Sequence, residues 1–259
     1  MNTVFALSNV VIKELYRRKD FYVLFVLTAV ITLLMGAVHF FNDPKIARDL
    51  KEICLLLVWV SALIIAITTA ARQIPAEREN RTIFPLLAKP VTRGQVVMGK
   101  FLGCWLATGA ALVVFYLFFG IMSGAHENRW PVLNYLQAFW LQWMMLAVVV
   151  AIVLLGSLLF SAPSANITIC FFVVLGVLLV GGHLNQVALQ QSEPVSTITY
   201  TVYFLIPHLE WFDIRKFIIF NWPLVPWLYC FLATLYAIVY AALFLFASWL
   251  AFRRQSMTA

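Results

Sequence analysis

Six long apolar runs divide this 259-residue chain into alternating apolar and polar segments. A bilayer core about 30 Å thick takes roughly 20 helical residues to cross. In hydrocarbon, a lone segment satisfies its backbone hydrogen bonds only as a helix. The runs therefore predict an all-α membrane protein with six transmembrane helices, at about residues 21–39, 53–71, 96–122, 132–160, 165–187 and 225–252. The third, fourth and sixth are long enough to tilt or project. Composition agrees: 63% of residues are hydrophobic and 11% are charged, against about 25% charged in a soluble domain. No polar stretch approaches the roughly 50 residues that a soluble domain needs. Residues 1–259 are thus read as a single transmembrane domain with no catalytic domain of its own.

The net charge of +7 would raise nucleic acid as a partner in a soluble protein. Here the cations flank apolar runs, so no nucleic acid is expected and the charge is read as orientation in the lipid bilayer. With six spans, residues 1–20, the 71–100 loop, the 161–164 turn and the tail share one side. Twelve of the 18 lysines and arginines fall at that side. The positive-inside rule makes it cytoplasmic, with both termini there. Within residues 1–20, Val4, Leu7, Val11 and Leu15 lie on one helical face and Asn9, Lys13 and Arg17 on another. This predicts an amphipathic helix in the interface, with Lys13, Arg17, Arg18 and Lys19 meeting anionic headgroups. The apolar run that follows is too long for a signal-peptide core.

On the other side, residues 188–224 form the longest loop. Its second half carries Trp211, Phe212, Asp213 and Arg215 between Pro207 and Pro223. Prolines punctuate helices and tryptophans favour interfaces, so a partly inserted helical cap is expected over the ends of the spans. The four cysteines stand alone in apolar runs without CxxC spacing, and the four histidines lie on four segments without ligand spacing. Neither disulfides nor a metal site is expected.

The remaining polar stretch, residues 71–100, reads ARQIPAERENRTIFPLLAKPVTRGQVVMGK. Glu77, Arg78, Glu79 and Arg81 place four charges within five residues. Even one central charge costs roughly 3 kcal/mol or more in hydrocarbon, so this loop must face water. Arg78 and Arg81 stand at spacings that could pair with the two carboxylates inside one short helix. Residues 94–100 match seven positions of a phosphate-binding P-loop, but Phe101 occupies the place of the magnesium-binding Ser or Thr, and no strand precedes it. The chain is therefore not expected to bind ATP or to be an enzyme. Charged residues are missing from the span centres, so an energy source would have to come from outside the chain.

Glu77-Arg-Glu79-Asn-Arg-Thr82, then Phe84-Pro-Leu-Leu-Ala88, Pro90-Val-Thr-Arg93 and Gly99-Lys100 resemble the signature of ABC-2-type permeases. That signature runs E-x-E-x-G-T, L-L-A, P-V-S-R and G-K before the third span. Arg81 stands where glycine is usual, and Thr92 replaces serine. Within the family, the chain looks most like the permeases grouped with multi-copper-enzyme maturation and gliding motility. The resemblance implies the membrane subunit of an ATP-driven exporter in the bacterial cytoplasmic (inner) membrane. Two copies, or two related permeases, would pair with two ABC ATPase subunits that bind ATP and magnesium. It also implies a coupling helix in the 72–95 loop, with Glu77 and Glu79 as contact carboxylates and Thr82 opening the next helical turn. An alternative is a non-transporting component that passes the ATPase's movement to an extracytoplasmic accessory protein.

Overall fold

The computed structural model describes residues 2–16, 22, 25–26, 29–30, 44–79, 92–127, 130–160, 162–190, 193 and 195–254. The expected first span, Arg17, Arg18, Lys19, Arg81 and Thr82 lie mostly or wholly outside these residues. Among those described, all regular structure is helical.

The chain opens with α1 (Asn2–Tyr16), followed by α2 (Pro44–Arg72) and the short α3 (Pro75–Glu79). Then come α4 (Arg93–Glu127), α5 (Val132–Leu159) and α6 (Pro163–Gln190). The segment beyond α6 contains α7 (Val195–Leu205), a 3-10 turn (Leu209–Phe212) and α8 (Arg215–Ile219), before the final helix α9 (Trp227–Arg254). Four helices among the described residues, those built on α2, α4, α5 and α9, are long and apolar enough to cross a membrane. They coincide with the second, third, fourth and sixth expected spans. Helix α6 covers the fifth, with an apolar stretch of described residues over Pro163–Leu179. Helix α2 begins well before the expected span, at Pro44. Its added segment, PKIARDLKE, starts with Pro at the first helical position and continues largely in good helix formers, so it extends the helix past the apolar run.

Helix α5 is the most buried of the four, and α9 the least. Around α5 are packed α9, α2, α4 and α6. The α4–α5 contact is keyed by Trp105 and Trp143, whose rings stack with centroids 4.5 Å apart. Each indole N–H donates to the other residue's backbone carbonyl, at 3.0 and 3.1 Å. Stacked aromatics bury area and satisfy their polar tips at once.

Helix α1 lies along the start of α4. Close approach is possible because a Cβ on Gly99 would come within 2.9 Å of Leu7 Cβ, and one on Gly103 within 2.8 Å of Val11 Cβ. Ser8 Oγ donates to the Gly99 carbonyl at 3.0 Å. The face predicted from periodicity, with Val4, Leu7 and Val11, is the one that packs, whereas Lys13 is exposed.

The segment expected as a cap runs from α7 to α8. Its 3-10 turn rests on α5 and α6, and α8 rests on α2 and α5. Helix α8 ends in a Schellman pattern: Trp222 N–H donates to the Phe217 carbonyl and Asn221 N–H to that of Ile218. Asn221, at φ 53°, occupies the left-handed position that asparagine tolerates.

Candidate functional site

The two ends of the bundle hold the residues singled out in the sequence. At the loop end, helix α2 stops at Arg72, and a short turn through Gln73 and Ile74 leads into α3. The last carbonyls of a helix have no partner within it and must find one elsewhere. Gln73 closes part of the end itself: its backbone N–H donates to Ala70 O, and its side-chain Nε2 to Thr69 O. The Ala71 carbonyl accepts from Asn166 Nδ2 of α6 at 2.7 Å. Lys100 Nζ of α4 donates to the Gln73 carbonyl at 3.1 Å and to its Oε1 at 3.2 Å. A cation at a helix C-terminus also meets the negative end of the helix dipole.

The same Lys100 ammonium donates to Glu77 Oε1 of α3 at 2.7 Å. Lys100 is 3% exposed. A lysine taken this far from water needs its three donors filled, and two oxygens of Gln73 and one of Glu77 fill them. Glu77 therefore has a structural partner on another helix, far beyond the neighbouring arginines that the sequence offered. Arg78 is half-buried and Glu79 is exposed. So α3 turns one carboxylate inward, to the third span, and one outward.

The described residues at the end of the polar stretch acquire further roles. Thr92 and Gln95 form a capping box at the start of α4: Gln95 N–H donates to Thr92 Oγ1 at 3.3 Å, and Thr92 N–H to Gln95 Oε1 at 3.0 Å. Thr92 does here what serine would do, so that departure from the signature keeps the chemistry. Arg93 reaches the end of α9, where one guanidinium nitrogen donates to the carbonyls of Phe252 at 2.6 Å and Arg253 at 2.9 Å. Residues 94–100 are helical from end to end. With Gly94 beside the Trp249 ring and Lys100 held inward, the run has neither the shape of a phosphate-binding loop nor a lysine free for one.

At the cap end the expected residues separate. Phe212 is buried, whereas Trp211 is 44% exposed. Asp213 and Arg215 form a two-bond ion pair at 2.8 and 2.6 Å, and the Arg215 guanidinium lies 4.9 Å from the centre of the Trp59 ring on α2. Asp213 Oδ1 also accepts from the Arg215 N–H, which steadies the first turn of α8. His208, one of the four histidines read in the sequence as lacking ligand spacing, is buried between the rings of Tyr203 at 4.2 Å and Trp211 at 4.8 Å. Burial pushes its pKa below the usual histidine value, against the opposing pull of Glu210.

A family model, described as ABC-2 family transporter protein, matches residues 52–257. The chain belongs to this family. The match spans α3, the start of α4 and the cap, so the signature residues fall inside the family region. The protein is thus a multi-pass membrane permease component of an ABC transporter. Comparison with curated proteins gave no match.

Proposed function

We propose that this permease works as an exporter driven by two separate ATPase subunits, which dock on α3 at the cytoplasmic side, and that two permease copies assemble with them. The chain itself takes no catalytic step; ATP and magnesium belong to the partner. One observation carries this reading above the rest. Helix α3 is a five-residue helix that presents an exposed carboxylate, Glu79, while its Glu77 is bonded to Lys100 of the spanning helix α4. An ordinary solvated loop has no need of a buried lysine behind it. A contact that must pass force into a membrane does need a short rigid element tied to spans. Charges at such a contact supply register and specificity more than raw affinity. The cation asymmetry between the two sides supports the orientation.

The test is the double variant Glu77→Ala/Glu79→Ala, isolated in mild detergent. It is expected to insert, since no spanning residue is substituted and Lys100 keeps its two bonds to Gln73, and to lose most of the co-purifying ATPase. Truncating charges at a desolvated contact costs about 2–5 kcal/mol, which is visible in a pull-down. Wild-type ATPase recovery together with wild-type hydrolysis would defeat the reading.

A further inference from the structure

We propose that Lys100 and Asn166 are positioning residues, which clamp the α2–α3 turn to two other helices so that α3 moves as one body with them. The inference rests on α3 being the docking helix, and assigns how that helix is held. The turn between α2 and α3 consists of Gln73 and Ile74 alone, and within it Gln73 N–H donates to Ala70 O and Arg78 N–H to Ile74 O. It is also gripped from outside, from two directions. From α4, Lys100 binds Gln73 before the short helix and Glu77 within it, so that one ammonium spans the turn. From α6, Asn166, wholly buried, binds the Ala71 carbonyl at the end of α2.

The Asn166 side of the clamp is itself built. Its Oδ1 accepts from Cys170 Sγ at 3.1 Å, which fixes the amide's orientation so that the N–H₂ points at α2. Helix α5 makes room through Gly156, where a Cβ would come within 2.8 Å of Asn166 Oδ1 and 2.5 Å of Cys170 Sγ. A polar amide buried among apolar helices is retained where it ties them together. Displacement of α3 is therefore passed to α4 through Lys100, and the end of α2 is held to α6 through Asn166. Glu77 belongs to this inner linkage, leaving Glu79 as the outward carboxylate.

The experiment measures amide hydrogen exchange over residues 73–79 in the full chain in nanodiscs, for wild type, Lys100→Met, Asn166→Leu and Glu77→Gln. Methionine and leucine keep the approximate volume and remove the bonds. Both are expected to raise exchange at this turn at least tenfold while α5 keeps its protection. Glu77→Gln retains an oxygen acceptor for Lys100 and should change exchange less than threefold. Exchange at 73–79 unchanged in Lys100→Met would overturn the clamp. Should that variant fail to insert, Glu77→Ala removes the Lys100–Glu77 bond alone, from the partly exposed partner, and is expected to raise exchange at residues 76–79 at least tenfold; unchanged exchange there would overturn the clamp. A second measurement uses the complex with the co-purifying ATPase. Lys100→Met should keep the ATPase bound yet lose the dependence of hydrolysis on the membrane subunit; loss of binding equal to that of Glu77→Ala/Glu79→Ala would count against a positioning role. The exchange result is independent of whether any ATPase binds, so failure of the clamp and failure of the docking reading are told apart.

Discussion

The loop end and the cap end of the bundle are both closed, but by different means. At the loop end, side chains of one helix reach the unpaired carbonyls of another: Lys100 and Asn166 at the end of α2, Arg93 at the end of α9. These are point contacts with a direction, and two of the three carry a formal positive charge toward a helix C-terminus. At the cap end, closure comes mainly from aromatic faces. Tyr203, His208, Trp211 and Tyr236 form a chain of rings with successive centroids 4.2, 4.8 and 5.3 Å apart. Aromatic contacts bury much area but tolerate small shifts, whereas a charge-assisted bond is short and specific. The lesson is that the loop end is built to hold a geometry and the cap end to cover a surface.

The largest effect that would sharpen this contrast comes from a cap-end contact made in the loop-end manner. Gln137 of α5 donates to the Val225 carbonyl at 2.9 Å and accepts from the Val225 N–H at 3.1 Å, and both residues are buried. Gln137→Leu would strand both backbone groups. Each buried unsatisfied group costs about 1–3 kcal/mol, so a loss of about 2–6 kcal/mol is expected. It should appear as a lower thermal midpoint in detergent, with protection lost first around residues 223–227. A loss no larger than that of an ordinary surface substitution, about 0.5 kcal/mol, would show that the cap end does not rely on this pair.

A smaller effect is expected from His208, and its sign follows from burial. The folded chain holds this imidazole neutral more strongly than the unfolded chain does. Below the usual histidine pKa, near 6.5, the unfolded state therefore binds more protons, and stability falls as pH drops through that value toward the lowered folded one. Glu210 Oε1, 3.7 Å from Nδ1, opposes the shift without reversing it. Thermal midpoints at pH 7 and pH 5.5 should differ more for the wild type than for His208→Gln, which does not titrate in this range. Equal differences would remove His208 from the account of the cap.

How much of this was readable beforehand depends on the range of the interaction. Spans beginning near residues 96, 132 and 225 follow from apolar runs bounded by polar residues, and α1 follows from its amphipathic period. The capping box at Thr92 and Gln95 is present as a T-x-x-Q spacing, a local signal. Lys100 and Glu77 are different: they lie on separate helices with the whole polar loop between them, and nothing local says which cation a carboxylate will meet. The sequence offered Arg78 and Arg81 as nearer partners. Asn166 gave a partial signal, because an amide near the start of an apolar run is costly unless it is bonded; its acceptor at Ala71 is set only by packing of α6 on α2. Likewise Arg93 could be seen as a loop cation, but not as the cap of a helix that ends near the other terminus of the chain.

The central claim is that force enters this membrane subunit at the loop end, through α3. It is tested most directly by placing a photo-crosslinking amino acid at Glu79, and separately at Trp211 of the cap, in the complex isolated from membranes. Both positions are exposed in the chain, so they compare the two ends on equal terms. The account predicts an adduct between position 79 and a nucleotide-hydrolysing subunit, and no such adduct from position 211. An ATPase adduct from position 211, with none from position 79, would contradict it.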